Sequence, residues 1–145
     1  NLHLIGKLQT NKVKFVLPLF DYIHSLDNFK LANKIAEEQI KKNFKPKIFI
    51  QVNIGEEPQK GGIEVGDVEN FYKKCVEEFK LNIIGLMSIP PFDKDSKPFF
   101  IKMKELSKDL NLKEISMGMS NDYMNAIKQG STFIRVGSKI FGARS

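Results

Sequence analysis

Short runs rich in isoleucine and valine alternate with segments of helical periodicity along the chain, and this alternation constrains the fold most strongly. The clearest runs are KIFIQVNI (47–54) and LNIIGLMSI (81–89), which are apolar almost throughout, as is typical of strands buried on both faces. Strands that alternate with helices favour a parallel sheet with helices packed outside it. Six such units follow one another without a linker, so we expect a single α/β domain over residues 1–145.

The segment 68–79 has the clearest amphipathic helical pattern, because its apolar residues recur every three or four positions. Asp27 precedes another helical pattern and is the predicted cap of that helix. The shorter strands are predicted at 2–6, 21–27, 113–119 and 132–137, and the other helices at 13–20, 31–36, 99–110 and after Ser120.

Composition indicates a globular protein of a reducing compartment. Hydrophobic residues make up 41% of the chain and charged residues 28%, and no apolar run reaches the roughly 18 residues of a membrane span. The single cysteine, Cys75, excludes an internal disulfide and a cysteine-cluster metal site. The first residues, NLHLIGKLQTNK, do not resemble a secretory signal, so we expect a cytoplasmic protein that does not enter a membrane.

The net charge of +6 raises the question of nucleic-acid binding, because clustered lysines neutralise phosphates. The lysines of this chain are scattered, and no stripe of aromatic and basic residues runs between them. This distribution favours solvated helix faces, and we expect no nucleic-acid partner.

Two turns rich in small and hydroxyl residues follow the last two predicted strands. Ser120 and Asn121 lie in the first turn, and Gly137 and Ser138 form the second. Ligands gather at the carboxyl ends of parallel strands, and in eight-unit barrels phosphates favour the loops after the last two. Glycine, hydroxyl groups and free N–H groups together would form a phosphate site. Ordinary turn and cap chemistry is the alternative.

Arg135 lies within the last predicted strand, on the same face as Phe133. A charged side chain in a buried strand needs a partner, because its desolvation is costly. The partner could be an acidic residue in the interior or a bound ligand, or the side chain could extend its charge to water instead. The strand pattern leaves these alternatives open.

Five segments carry a resemblance to a known family: HLIGKLQTNK, HSLD, FIQVNIGEEPQKGG, GLMSIP and the closing SMGMSNDYMNAIKQGSTFIRVGSKIFGAR. In this order they resemble the pyridoxal-phosphate homeostasis proteins of the YggS/PROSC type, whose barrel is similar to the N-terminal domain of alanine racemase. The resemblance implies a TIM-barrel-type (β/α)8 fold, and a protein that binds pyridoxal 5′-phosphate and serves vitamin B6 homeostasis without catalysis.

The resemblance also implies a cofactor site at the carboxyl ends of the strands. Ser116 matches a serine that contacts the cofactor phosphate, and Gly137 and Ser138 match its cradle. Arg135 matches an arginine that faces the pyridine nitrogen. An arginine there keeps the nitrogen unprotonated and weakens the ring as an electron sink, which favours a carrier over an enzyme. The other implied pocket residues are Met119, Ser120, Asn53, Met87 and His3.

Three further side chains have two interpretations each. His3 and His24 are more simply interpreted as satisfied histidines near strand ends than as individual ligand contacts. Lys60, in the QKGG loop, matches a lysine common in the family, but it is equally consistent with a solvated loop residue.

The chain departs from the family pattern at its start. The family's Schiff-base lysine lies on the first barrel strand, whereas this chain begins at what resembles the third. A complete barrel takes about 250 residues, so we expect a partial barrel, units 3 to 8 of a longer protein. We assign no catalytic residue, and no motif supports Lys7 or Lys12 in the role of the missing lysine.

Six strands would leave two open parallel edges, which invite pairing with another copy or another segment. A closed, monomeric six-stranded structure would contradict this expectation. Two other functions stay open: a racemase- or decarboxylase-type enzyme, and an inactive fragment that retains the phosphate site. Against the enzyme, no acid–base pair is evident, because the three tyrosines lie at predicted core or helix positions, Tyr22, Tyr72 and Tyr123.

Overall fold

The computed structural model describes residues 1–143, which form one parallel sheet with helices on one of its faces. All six predicted strands are present, and a two-residue strand, β4, was not predicted. The strand order across the sheet is β1-β2-β3-β5-β6-β7, and β4 pairs with the end of β3. The strands are β1 His3–Leu4, β2 Tyr22–Leu26, β3 Lys47–Asn53, β4 Ile63–Glu64, β5 Asn82–Ser88, β6 Glu114–Met119 and β7 Phe133–Arg135.

Each strand of the main path is followed by helical structure, as the alternation predicts. Two 3-10 turns, Thr10–Lys12 and Val65–Asp67, lead directly into the helices that follow them. The helices are α1 Val13–Val16, α2 Phe29–Lys42, α3 Val68–Glu77, α4 Lys97–Asp109, α5 Tyr123–Lys128 and α6 Ser138–Phe141.

The cap of α2 differs from the prediction. Asn28, not Asp27, is the cap, and its side-chain oxygen accepts a hydrogen bond from the Leu31 amide at 2.8 Å. Asp27 lies one position too early for this bond. Its carboxylate instead accepts a hydrogen bond from the Gly62 amide at 3.3 Å, and so ties β2 to the loop after β3.

The sheet is strongly curled. His3 in β1 and Phe133 in β7 lie on opposite edge strands, yet their ring centroids are 5.9 Å apart. In a flat sheet, five steps of about 4.8 Å would separate these strands by about 24 Å. Within residues 1–143 β1 and β7 do not pair with each other. The fold is therefore a partial barrel with two open edges, which confirms the predicted fold class.

The main core lies between the convex face of the sheet and the helices. Strand residues such as Ile48 and Ile50 are fully buried there against helix residues such as Leu31 and Phe71. In α4 the fully buried aromatic residue is Phe100, whereas the predicted pattern used its neighbour Phe99.

A smaller apolar cluster fills the concave face. Tyr22, Phe49 and Met87 are buried in it, and Phe133 packs against them from β7. Polar side chains lie next to this cluster, at the ends of the strands, and they form the candidate site.

Cys75 is buried within the main core, and its burial raises the pKa of the thiol to about 12. Among the described residues, no helix combines the length and apolar character that crossing a membrane requires.

Candidate functional site

The two turns singled out in the sequence meet at the carboxyl ends of β6 and β7. The parallel register places Met119 beside Arg135, so the segments that follow both strands leave the sheet side by side. The Ser120 hydroxyl oxygen accepts hydrogen bonds from the amides of Gly137 at 3.3 Å and Lys139 at 3.2 Å. One hydroxyl and two amide groups thus converge at a partly exposed point.

The two glycines of this region have different roles. Gly118 has a positive φ of 96°, and a β-carbon there would lie 2.6 Å from that of Ala126. Gly118 therefore allows α5 to pack closely on β6. A β-carbon on Gly137 would meet nothing within 4 Å. The space in front of Gly137 is open, and a ligand can approach its backbone there.

Arg135 extends from β7 toward the neighbouring strands. Its guanidinium donates to the Ser116 hydroxyl at 2.7 Å and to the Ser88 carbonyl oxygen at 2.9 Å. No carboxylate lies within 4.0 Å of it among residues 1–143. Burial lowers the pKa of Arg135 to about 10, and the more distant charge of Asp122 opposes this shift. The guanidinium thus stays charged at neutral pH, and no carboxylate among residues 1–143 pairs with it.

Two histidines continue this polar contact across the interior. The Ser116 hydroxyl lies 2.8 Å from Nδ1 of His24, and Nε2 of His24 lies 3.0 Å from Nδ1 of His3. Desolvation lowers the pKa of His24 to about 4, and the nearby His3 and Arg135 act in the same direction. The pKa of His3 is also lowered, mainly by desolvation. Both rings are neutral near pH 7.

Aromatic rings hold these histidines in place. His24 stacks on Phe49 with ring centroids 4.4 Å apart, and His3 stacks on Tyr22 at 4.1 Å. Both histidines form hydrogen bonds within the protein, in line with their interpretation as satisfied residues. That interpretation did not predict that these hydrogen bonds connect them to Arg135 through Ser116. The sequence held one signal for this link: alternation in the YIHSL strand places Tyr22 and His24 on the same face of the sheet.

Ser116, which the resemblance assigned to the cofactor phosphate, lies in the interior of the sheet. It is fully buried, four residues before Ser120, and its hydroxyl is engaged by His24 and Arg135. In this arrangement Ser116 supports the arginine, and Ser120 is the serine that lies at the two turns.

The remaining predicted site residues lie around this centre. Met87 is buried beside Ser116 in the sheet register, whereas Met119 is 44% exposed at the rim. Ser138 is exposed and begins α6.

Asn53 is buried, and its side chain bonds to the backbone of Glu57 at 2.9 and 3.2 Å, so it fixes the loop after β3.

Lys60 lies in that same loop and is partly buried. Its ammonium group forms an ion pair with Glu57 at 2.8 Å and lies 3.5 Å from the Pro90 carbonyl oxygen. The lysine therefore links the loops after β3 and β5 and is not simply solvated.

Comparison with known proteins defines the class. Residues 3–145 match the family described as "Alanine racemase, N-terminal domain", in agreement with the curled parallel sheet. The chain is 39% identical over 151 residues to the pyridoxal phosphate homeostasis protein of Aquifex aeolicus, covering 98% of this chain and 66% of that protein. The chain belongs to the pyridoxal phosphate homeostasis protein family.

Solved structures support the same assignment. PipY of Synechococcus elongatus without PLP superposes with a TM-score of 0.89 at 33% identity, covering 97% of this chain and 70% of PipY. PipY with PLP bound gives a TM-score of 0.85 at 33% identity, covering 97% of this chain and 69% of PipY. The chain spans about two thirds of the length of the curated relatives it matches.

Proposed function

We propose that this chain binds pyridoxal 5′-phosphate at the carboxyl ends of β6 and β7 and serves vitamin B6 homeostasis as a non-enzymatic carrier. The observation that carries the proposal is Arg135, a largely buried cation without a carboxylate partner among residues 1–143, two residues before an open turn of hydrogen-bond donors. The bound cofactor of PipY supports it, since that relative has the same fold at 33% identity.

The residues present suit the two ends of the cofactor. The phosphate would accept from the amides of Gly137 and Lys139 in place of the Ser120 oxygen to which they donate in the free chain. The hydroxyl groups of Ser120 and of the exposed Ser138 would be further donors at this turn. Arg135 would donate to the pyridine nitrogen. Two of its five N–H groups bond to described residues, which leaves three for a ligand.

The other predicted pocket residues have supporting parts in this proposal. Met119 borders the entrance, Met87 lies on the concave face, and His3 is the half-buried end of the hydrogen bonds that begin at Arg135. Asn53 acts indirectly, since it holds the loop after β3 in place.

Pyridoxal phosphate supplies an electron sink, which is strongest when its ring nitrogen is protonated. The residues of this chain oppose that protonation. Arg135 retains its own proton at neutral pH, because its pKa of about 10 lies well above 7. An arginine that only donates stabilises the unprotonated nitrogen, which supports carriage rather than catalysis.

The surface supports a cytoplasmic protein without a nucleic-acid partner. Some of its lysines form ion pairs along helix faces, such as Lys34 with Glu38 at 3.2 Å and Lys73 with Glu69 at 2.7 Å. A free cysteine deep in the core is compatible with a reducing compartment.

Equilibrium dialysis against pyridoxal phosphate tests the proposal. We expect Arg135→Ala and Ser120→Ala each to weaken binding about tenfold, because each removes a hydrogen bond to a polar or charged ligand group worth about 1.5 kcal/mol. Lys73→Ala, on the exposed face of α3, is the control and should leave affinity unchanged.

Circular dichroism of each variant separates loss of binding from loss of folding. Unchanged affinity in both Arg135→Ala and Ser120→Ala would refute the proposed site. Binding accompanied by turnover of an amino acid would favour a racemase- or decarboxylase-type enzyme instead. Retention of phosphate binding without cofactor binding would indicate an inactive fragment.

A further inference from the structure

The hydrogen bonds between Arg135 and His3 have a defined direction. A guanidinium only donates, so the Ser116 oxygen accepts from Arg135. The hydroxyl is fully buried, and Nδ1 of His24 is its one acceptor among the described residues, so it donates its proton to that nitrogen. A ring that accepts at Nδ1 carries its proton at Nε2, and this proton is donated to Nδ1 of His3. The arginine and the burial of Ser116 together determine the tautomers of both histidines.

This arrangement requires a neutral His24, because a protonated ring would donate at both nitrogens. The surroundings favour neutrality: His24 is 2% exposed and packs between the rings of Phe49 and Phe133. The nearest titratable groups are His3 and Arg135, whose charged forms both repel an added proton. The next cation, Lys47 of β3, lies on Tyr22, with its ammonium 3.2 Å from the Tyr22 hydroxyl.

We infer that His24 is a positioning residue for Arg135 and thereby sets the preference of the site for an unprotonated ring nitrogen. His24 fixes the rotation of the Ser116 hydroxyl, and this rotation directs the oxygen lone pairs toward the guanidinium. The Ser88 carbonyl oxygen holds its other terminal nitrogen, so the orientation of the guanidinium plane is defined. The identity of the ligand in this inference rests on the proposed function. The hydrogen bonds among His24, Ser116 and Arg135 are independent of it.

Two substitutions separate the hydrogen bond from the packing of the ring. His24→Phe keeps a ring against Phe49 and removes both nitrogens. His24→Asn loses the stacking but can keep an acceptor where Nδ1 lies. Phe49→Leu is the control, since it alters the same stack without touching the polar groups.

Binding is compared for three probes: pyridoxal phosphate, its analogue with CH in place of the ring nitrogen, and inorganic phosphate. We expect the wild-type chain to prefer the cofactor over the analogue about tenfold, the value of one hydrogen bond to a charged donor. His24→Phe should reduce this preference to about twofold or less, while His24→Asn and Phe49→Leu retain it. Phosphate affinity should be the same in all four proteins.

An unchanged preference in His24→Phe, or equal losses in His24→Phe and Phe49→Leu, would overturn the inference. If the wild-type chain binds neither cofactor nor analogue, the proposed function is wrong. The positioning role of His24 can then still be tested on the ligand-free protein. Nitrogen-15 NMR should then show His24 protonated at Nε2, and slow rotation of the Arg135 guanidinium that His24→Phe abolishes and His24→Asn preserves. The opposite tautomer, or a guanidinium equally ordered in both variants, would overturn it.

Discussion

Arg135 shows how a single buried charge can indicate a function. Its two hydrogen bonds within the described chain go to a neutral hydroxyl and a neutral carbonyl group, and neither offsets its charge. Burial of a cation is costly unless a partner compensates it, so the arginine stabilises a bound acceptor more than it stabilises the free chain. The Ser116 and His24 side chains hold it in this state.

The lowered pKa of His24 predicts a pH-dependent stability. An unfolded histidine has a pKa of about 6.5, whereas in the fold the value is about 4. Because the unfolded chain binds this proton more readily, stability is fully present above about pH 6.5 and is lost as the pH falls toward 4. At pH 4.5 we expect a loss of about 2 to 3 kcal/mol relative to pH 7.

Urea unfolding at both pH values measures this effect. His24→Phe cannot take up the proton, so it should lose about 2 kcal/mol less than the wild-type chain over the same interval. A wild-type loss that His24→Phe reproduces in full would show that other groups cause it.

At the level of single side chains, the sequence indicated the two turns and the embedded arginine but not the contacts behind them. His24 and Ser116 are 92 positions apart, and no local pattern relates them. The resemblance assigned Ser116 to the cofactor phosphate. Whether a serine contacts phosphate or supports the arginine depends on which way its hydroxyl points, and sequence similarity does not report that direction.

Helix α2 shows how closely local signals specify a secondary-structure element and where they fail by one position. Both Asp27 and Asn28 are good cap residues, and the sequence does not distinguish them. The loop after β3 settles the matter, because its Gly62 amide engages the Asp27 carboxylate and Asn28 is left to cap the helix. Likewise β4 was missed because two residues after a Gly-Gly pair carry no strand pattern of their own.

Removal of the cap gives a direct prediction. Asn28→Ala should destabilise the fold by about 1 kcal/mol, because the Leu31 amide loses its side-chain partner at the helix start. Hydrogen exchange of the Leu31 amide, measured by NMR, should accelerate in this variant. In Asp27→Ala the Gly62 amide should lose protection while the Leu31 amide keeps it; the reverse pattern would restore Asp27 as the cap.

The curl of the sheet brings together side chains from its two edges, yet leaves those edges unpaired with each other. Alternation of strands and helices predicted the parallel order, but curvature depends on how the concave side chains pack, which periodicity does not report. Apolar groups remain exposed near β7, including Ile134, Ile140 and Phe141. An unpaired parallel edge flanked by such groups favours association with another strand.

We therefore expect self-association of this chain through the β7 edge. Sedimentation velocity should show a concentration-dependent increase in mass, which Ile134→Lys reduces because a charge on an edge strand opposes pairing. Ile101→Lys is a matched control: Ile101 is 38% exposed, Ile134 is 40% exposed, and Ile101 lies on α4 away from the edge. A wild-type chain that is monomeric at all concentrations, or equal effects of both lysines, would contradict the prediction.

At the proposed site, the contact of Ser120 with the Gly137 and Lys139 amides would affect how a cofactor leaves. In the free chain the Ser120 hydroxyl already accepts hydrogen bonds from these two amides. An arriving phosphate would therefore replace internal hydrogen bonds and would not meet unbonded donors. Departure restores the original bond, which lowers the penalty for release. Such an exchange would lower the binding affinity and ease dissociation, which suits a protein that passes its ligand to another protein.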